Sequence, residues 1–229
     1  ITVNVLNAND NSPVFTSNAT FSTAENQTAI GTVTASDPEG DTVSFTISGN
    51  ELAITSGGVL SFISAPDYET KTSYTATVTA SDGTNSETQD ITVNVLNVND
   101  NSPVFTSNAT FSVEEDSGNN SGSCSLIDCP SIGTVTASDA DGDSLTFTVS
   151  GSELSITSAG VLTFVNVPNY ENKSAYLATV TASDGTYSET QDITVNVLNV
   201  NEAPVFTTGS SYSVEAVSYT HLTLPTSPK

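Results

Sequence analysis

The sequence has almost no positive charge. It contains no arginine, and its 3 basic residues stand against 26 acidic ones, which gives a formal net charge of -23. Nucleic-acid binding depends on lysine and arginine to neutralise phosphates, so the composition excludes nucleic acid as a partner. It disfavours docking on an anionic membrane for the same reason. Metal cations, polycations and neutral ligands remain.

Groups for catalysis and for membrane insertion are also scarce. The only histidine is His221, and it lies outside the repeated part of the chain, so neither a Ser-His-Asp nor a Cys-His arrangement forms within the repeats. No stretch approaches the ~20 consecutive apolar residues of a transmembrane helix. We therefore predict that the protein is not an enzyme and that this segment does not insert directly into a membrane.

Cysteine is limited to Cys124 and Cys129. Their proximity favours a local disulfide, which would indicate an oxidising compartment. A pair of free thiols on a variable loop is the alternative. Zinc is a poor third interpretation, because two thiols with no nearby histidine cannot complete a tetrahedral site.

What the sequence does contain is an internal repeat. The words "ITVNVLNANDNSPVF" at 1–15 return as "ITVNVLNVNDNSPVF" at 91–105, and "ITVNVLNVN" returns at 193–201. Between them, "TVTASDGTNSETQD" at 77–90 matches "TVTASDGTYSETQD" at 179–192. Such self-similarity indicates tandem structural units. The second copy carries a 12-residue insert near residues 117–129.

Apolar residues alternate with polar ones inside each copy, as in Val43, Phe45 and Ile47. Apolar residues at every second position, in short runs, predict half-buried antiparallel strands. The runs are separated by the turn sequences "DG", "GG" and "PEGD". About seven such strands fit in one copy, which indicates an all-β, two-sheet Greek-key sandwich. The chain opens on a strand pattern already under way, so we interpret it as a piece of a longer protein.

The acidic residues concentrate in short turn-like words. These words are "AEN", "DPEGD", "PDYE", "ASDG" and "NDN". Carboxylate and amide oxygens with no basic neighbour suit a hard divalent cation such as calcium. The alternative is that Asp, Asn and Gly simply stabilise β-turns through local hydrogen bonds. The recurrence of five such words in both copies favours the cation.

Taken together, these words resemble the cadherin repeat, in the Thr/Ser-rich form of bacterial surface proteins. The resemblance covers nearly the whole chain up to Phe206 and implies tandem immunoglobulin-like sandwiches with calcium bound at the junctions between repeats. At the one complete junction it implies the ligands Glu25, Asp67, Glu69, Asn97, Asn99, Asp100, Asn101, Asp139, Asp141 and Asp184.

Two further junctions are implied at the ends of the chain. The upstream one would use Asn7, Asn9, Asp10, Asn11, Asp37, Glu39 and Asp82. The downstream one would use Glu115, Asn169, Glu171, Asn199, Asn201 and Glu202. The family usually begins its linker with Asp, whereas this chain has Asn at 7, 97 and 199. The third linker also lacks Asp altogether, so we expect the downstream junction to bind fewer ions or to bind them more weakly.

The complete junction would gather seven carboxylates. Like charges ~4 Å apart repel by about 1 kcal/mol per pair in water and by about 4 kcal/mol at an effective dielectric of 20. The resemblance implies about three calcium ions, whose charge would bring the cluster close to neutrality. We therefore expect the ions to stiffen the linker.

The repeat pattern divides the chain into five segments. We expect a last strand and linker of a preceding repeat at 1–11, cadherin-like repeats at 12–101 and 102–203, and a truncated third repeat at 204–216. The stretch 217–229, "VSYTHLTLPTSPK", departs from the pattern and resembles a translated sequencing adapter, so we expect it to be foreign to the fold.

The predicted function is that of a calcium-rigidified adhesion or spacer segment of a large extracellular or cell-surface protein. Its expected partners are calcium, neighbouring repeats of the same chain, and another surface protein or glycan. A carbohydrate-binding accessory module of a secreted polysaccharide-degrading protein is the alternative, and it would need an exposed aromatic platform. Homophilic adhesion by strand exchange is anchored by Trp in classical cadherins, and this chain has none.

Overall fold

The computed structural model describes residues 1–4, 6–115 and 131–202. Every helix or strand assigned in these ranges is a β-strand, in agreement with the all-β prediction. Across the same ranges, no helix is long and apolar enough to cross a membrane. The predicted Cys124–Cys129 pair, the start of a third repeat at 204–216 and the stretch 217–229 lie outside the described residues.

The first copy contains nine strands. They are β1 Val14–Phe15, β2 Thr20–Ala24, β3 Ala29–Thr32, β4 Ala35–Ser36, β5 Ser44–Ile47, β6 Leu52–Ile54, β7 Val59–Phe62, β8 Ser73–Ser81 and β9 Ser86–Leu96. They form a four-stranded sheet in the order β2-β9-β8-β5, a three-stranded sheet β3-β7-β6 and a two-stranded pair β1-β4.

The second copy repeats this arrangement strand for strand. Its strands are β10 Val104–Phe105, β11 Thr110–Glu114, β12 Ser131–Thr134, β13 Ala137–Ser138, β14 Thr146–Val149, β15 Leu154–Ile156, β16 Val161–Phe164, β17 Ala175–Ser183 and β18 Ser188–Leu198. The sheet orders are β11-β18-β17-β14, β12-β16-β15 and β10-β13. Equal topology follows from the nearly equal sequences of the two copies.

Each copy encloses its own apolar core. In β9, Ile91, Val93 and Val95 are buried while the residues between them face outward, as the period-two pattern predicts. The first core consists of Val33, Phe45, Leu52, Leu60, Phe62, Val78, Ala80, Ile91, Val93 and Val95. The second consists of Ile132, Val135, Phe147, Leu154, Leu162, Phe164, Val180, Ala182, Ile193, Val195 and Val197.

The structure corrects two details of the strand prediction. Within the described residues each copy has nine strands instead of about seven, because two-residue pairs such as β1-β4 are too short to show a period. The pairing is also not wholly antiparallel, since β2 runs parallel to β9 and β11 runs parallel to β18. The alternation of apolar and polar residues shows on which face of the sheet a side chain lies. It carries no information about the direction of the neighbouring strand.

The parallel pair sets the geometry of the junction. Ala24, the last residue of β2, lies opposite Leu96, the last residue of β9. Glu25 and Asn97 therefore leave the sheet side by side and in the same direction. The register repeats in the second copy, where Glu114 lies opposite Leu198 and brings Glu115 beside Asn199. A glutamate is thus placed next to the first residue of the linker that follows each copy.

Candidate metal centre

Glu25 is a buried carboxylate at the centre of the complete junction. Its exposed fraction is only 3%. One carboxylate oxygen accepts a hydrogen bond from the backbone N–H of Val98 at 2.8 Å, and the other accepts one from the N–H of Tyr68 at 2.7 Å. Since Val98 belongs to the linker and Tyr68 to the "PDYE" turn, Glu25 joins these two segments. Buried carboxylates need such partners.

Four carboxylates from both copies meet beside this point. Glu25, Glu69, Asp100 and Asp141 each offer an oxygen within 4.8 Å of the others. They come from the base of the first copy, the linker and the top of the second copy. Each of the four contributes a carboxylate oxygen, so the group presents a set of anionic oxygens. Such a set matches the ligand preference of a hard cation.

The crowding of negative charge changes the acidity of this group. Loss of hydration and the nearby charges of Glu25 and Asp141 raise the pKa of the Glu69 carboxyl. Loss of hydration alone would also raise the pKa of Asp141, but hydrogen bonds from Asn101 and from the Asp100 N–H bring that pKa below its usual value. A proton therefore resides more readily on Glu69, as expected where carboxylates are close together.

Three further oxygens at the junction are buried without a hydrogen-bond partner. They are Oδ2 of Asp139, Oδ2 of Asp184 and Oδ1 of Asn99. Asp184 uses its other oxygen to accept the N–H groups of Thr186 and Tyr187, both at 2.6 Å. Buried polar atoms are nearly always paired in folded proteins, so three unpaired acceptors at one predicted site are unusual.

Not every predicted ligand points into this group. Asp67 accepts hydrogen bonds from the N–H and hydroxyl of Thr70 at 3.1 and 3.0 Å, so its carboxylate stabilises its own turn. The side-chain amides of Asn97 and Asn101 act as donors to Asp141, at 2.7 Å to its carbonyl and 3.2 Å to its carboxylate. Asn101 thus stabilises a carboxylate of the group, whereas Asn97 is bonded to the backbone of the second repeat.

Two residues at the junction were not predicted from the sequence. Asn26 has a positive φ of 63°, and its amide donates a hydrogen bond to the carboxylate of Asp100 in the linker. Asp143 lies close to Asp139 and Asp141, with the three carboxylates within 4.8 Å of one another. Asp143 continues the "DxD" spacing by two residues, so extending that pattern would have found it. Asn26 has no comparable signal beyond following Glu25.

At the upstream junction, the linker contacts the repeat that follows it in the same way as at the complete junction. Glu39 accepts a hydrogen bond from the Asn11 N–H at 3.3 Å and another from the Asn11 side chain, as Asp141 does from Asn101. Oδ2 of Asp37 and Oδ2 of Asp82 are buried without partners. Of the remaining predicted ligands, Asn7 donates to the Glu39 carbonyl at 3.3 Å, Asp10 accepts from Asn11 at 3.0 Å, and Asn9 accepts from Asn85 at 2.9 Å.

The part of the downstream junction that the structure describes has a smaller acidic group. Glu115, Glu171 and Glu202 lie within 4.8 Å of one another. Glu115 accepts the N–H groups of Tyr170 and Val200, at 2.6 and 3.0 Å, just as Glu25 does at the complete junction. Asn169 accepts from Asn172 at 2.8 Å, and Asn199 donates to Glu171 at 2.9 Å. No hydrogen bond involves the side chain of Asn201 among the described residues.

Comparisons with known proteins agree with this architecture. Residues 9–95 match a family model described as Bacterial Ig domain. The chain is 31% identical over 230 residues to human Cadherin EGF LAG seven-pass G-type receptor 1, and 31% identical over 223 residues to human Protocadherin Fat 4. The alignments cover 90% and 88% of this chain but only 7% and 4% of those proteins.

Solved structures show the same fold. The EC22-24 segment of mouse Cadherin-23 superposes with a TM-score of 0.67 at 24% identity, over 84% of this chain and 66% of that one. The EC1-2 segment of human Protocadherin-24 gives 0.65 at 21% identity, over 84% of this chain and 100% of that one.

Fold and comparisons together define the class of this protein. The described residues form tandem immunoglobulin-like β-sandwiches, as predicted. Combined with the similarity in sequence to cadherins, this makes it a cadherin-like repeat protein.

Proposed function

We propose that this chain is a calcium-rigidified spacer and adhesion segment of a larger extracellular protein, built from repeats at 12–101 and 102–203. The observation that carries the proposal is the junction itself, where four carboxylates from both repeats lie within 4.8 Å of one another. The unpaired buried oxygens of Asp139, Asp184 and Asn99 support it.

The donor set fits calcium better than other ions. Calcium takes six to eight oxygen ligands in flexible geometry, whereas magnesium demands a tight octahedron and zinc prefers nitrogen and sulfur. Glu25, Glu69, Asp100 and Asp141 would hold the ion nearest the first repeat, with Asp139, Asp184 and Asn99 serving ions nearer the second. Bound calcium would supply positive charge that cancels the repulsion between these groups.

The mechanical consequence follows from where the ligands come from. Glu25 and Glu69 belong to one sandwich, Asp139 and Asp141 to the next, and Asp100 to the linker between them. An ion that binds all three segments ties the two sandwiches together. We infer a stiff rod that carries binding surfaces away from a cell, with neighbouring repeats and a surface protein or glycan as partners. No catalytic role forms part of this proposal.

The carbohydrate-binding alternative lacks an aromatic platform in the part of the chain described. The exposed large aromatic side chains there are Tyr170 and Tyr187, which are 39% and 40% exposed. Tyr170 lies beside Glu115 at the downstream end of the second repeat, whereas Tyr187 follows Asp184 at its upstream end. Two rings at opposite ends of a sandwich cannot stack on one sugar.

The direct test is calcium titration calorimetry on the 229-residue chain, with thermal melts in calcium and in chelator. We expect about two to four calcium ions to bind, with affinities in the range of protein sites built from oxygen ligands. Binding to the native state alone raises stability by about 2.7 kcal/mol at 100 times Kd. The melting temperature should therefore rise clearly in calcium. Absence of both binding heat and thermal shift would overturn the proposal.

The complete and downstream junctions differ enough for their calcium sites to be measured separately. We expect Glu69→Gln to weaken the tighter class of sites and Glu171→Gln to affect only a weaker class, at least about tenfold poorer in affinity. The reason is that the downstream group has three carboxylates and a linker without Asp. Calorimetry on the two matched variants checks this. Equal losses in the same class of sites would contradict the predicted difference.

A further inference from the structure

Both lysines within the repeats occupy the same position and make the same contacts. Lys71 Nζ lies 2.6 Å from a carboxylate oxygen of Glu51 and 4.2 Å from the ring centroid of Tyr74. In the second copy, Lys173 Nζ lies 2.6 Å from Glu153 and 4.5 Å from the ring centroid of Tyr176. The chain has only 3 basic residues, so two of them serve this one arrangement.

The tyrosine connects each lysine to the core. The Tyr74 ring packs edge to face on Phe62, with centroids 4.9 Å apart and an interplanar angle of 70°. Phe62 is 3% exposed and belongs to the first apolar core. Tyr176 packs on Phe164 in the same way, at 5.0 Å and 68°. The lysine is therefore held against a fixed part of the sandwich by charge and by its contact with the ring face.

Lys71 also ends the turn that carries Glu69. We call residues 66–71 the strap. Its C-terminal end is closed by the Lys71 N–H, which donates to the Asp67 carbonyl at 2.9 Å. Two hydrogen bonds hold its N-terminal end. The Asn26 N–H donates to the Pro66 carbonyl at 3.0 Å, and the Tyr68 N–H donates to the Glu25 carboxylate at 2.7 Å. Glu69 lies between these two attachments.

Glu69 needs such support because its neighbours repel it. Its carboxylate belongs to the group of four within 4.8 Å, and it is exposed, whereas Glu25 in the same group is buried and bound by two N–H groups. Like charges at this separation push the more mobile member away. The strap limits how far Glu69 moves before a cation arrives.

We propose that Lys71, acting with Glu51 and Tyr74, is a positioning residue that holds the strap so that Glu69 is preorganised for calcium. Lys173 does the same for Glu171 at the downstream junction. The inference rests on the proposed calcium function and adds to it a device outside the ligand set. Preorganisation raises affinity because less ordering is needed at the moment of binding.

The direction in which Lys71→Met changes the calcium affinity distinguishes this role from a simple charge effect. A lysine near a calcium site repels the ion, so if charge alone mattered, Lys71→Met would tighten calcium binding. If Lys71 positions the strap, the same change weakens binding. Glu51→Gln removes a negative charge, so both accounts predict weaker binding for it. Only the positioning account predicts weaker binding in both variants.

The experiment is calcium calorimetry on the full 229-residue chain carrying Lys71→Met, Glu51→Gln or Lys71→Arg. We expect the tighter class of sites to weaken about threefold to tenfold in the first two, where tenfold corresponds to ~1.4 kcal/mol. Arginine keeps both the ion pair and the ring contact, so Lys71→Arg should restore the wild-type affinity. Lys173→Met is the matched control and should leave the tighter class unchanged.

Melts in chelator show whether the fold is intact. The Lys71 and Glu51 side chains are 40% and 50% exposed, so their loss should change the melting temperature without calcium by only a few degrees at most. Unchanged or tighter binding in Lys71→Met, or an equal loss in Lys173→Met, overturns the positioning role. Absence of calcium binding in the wild-type chain would instead defeat the proposed function itself.

Discussion

Replacing Asp100 by alanine should remove most of the thermal stabilisation that calcium gives this protein. Asp100 is the linker member of the group of four carboxylates, and Glu25, Glu69 and Asp141 reach it from the two repeats. Without it, an ion that binds one repeat loses its connection to the linker. A ligand present at 100 times Kd contributes about 2.7 kcal/mol. For domains of this size that is roughly 10–20 °C in melting temperature.

The same substitution should not destabilise the protein when calcium is chelated. The Asp100 carboxylate then lies among three others and is stabilised only by side-chain amides from Asn26 and Asn101. Removing one charge from such a group relieves repulsion of about 1 kcal/mol per close pair in water. We therefore expect the melting temperature in chelator to stay constant or to rise slightly, while the melting temperature in calcium falls.

Asp10 provides the matched control for this experiment. It occupies the same place in the word "NDNSPVF" and carries the same charge, but its carboxylate accepts a hydrogen bond from Asn11, whereas Asp100 lies in the group with Glu25, Glu69 and Asp141. Asp10→Ala should leave most of the calcium-induced shift in place. If Asp10→Ala and Asp100→Ala reduce the shift equally, the stabilisation comes from dispersed acidic residues, and the junction has no special role.

The fold could be predicted from the sequence because the repeat supplied the same information twice. Alternation in words such as "ITVNVL" predicts buried Ile91, Val93 and Val95, and these side chains are buried in β9. The parallel pairing of β2 with β9 was not predictable in this way, because the pattern of faces is identical for either direction. Yet this parallel register is what places Glu25 beside the linker.

The candidate site was predicted as a set of residue types, but their individual contacts were not. Glu25, Glu69, Asp100 and Asp141 do come together. Asp67, in contrast, turns back to Thr70, because a carboxylate two or three residues before free N–H groups forms a local turn. Asn97 and Asn101 donate their amides to Asp141. A sequence motif cannot say which end of an amide faces a carboxylate, since this depends on tertiary contacts.

The junction and the proposed positioning role of Lys71 together account for the places of the two repeat lysines in so acidic a chain. Glu51 and Tyr74 hold Lys71 at the end of the strap, and Lys71 Nζ is paired with Glu51. The hydrogen bonds to Glu25 and Asp141, by comparison, come from backbone N–H groups and from the Asn101 amide. Leaving these carboxylates without a lysine partner keeps them available to a cation, and this is the arrangement that calcium-dependent stiffness requires.

Replacing Gly58 by alanine should destabilise the first repeat by about 3 kcal/mol or more, whatever the calcium concentration. Gly58 has a φ of +86°, and a Cβ there would lie 2.2 Å from the carbonyl oxygen of Val33. That contact is fixed from both sides, since the Val33 N–H donates to the Gly58 carbonyl at 2.8 Å. The backbone must therefore move, and the buried Phe45 ring, 3.3 Å from the same Cβ, must move with it.

Gly49→Ala separates this clash from the cost of a positive φ. Gly49 has almost the same φ of +87°, but a Cβ there meets no atom within 4 Å. Its replacement should cost only about 1 kcal/mol, because alanine is strained in this backbone region but is not blocked. Chemical denaturation of the two variants in chelator measures the difference. Equal losses would mean that backbone strain alone requires glycine at residue 58 and that the turn has room for a side chain.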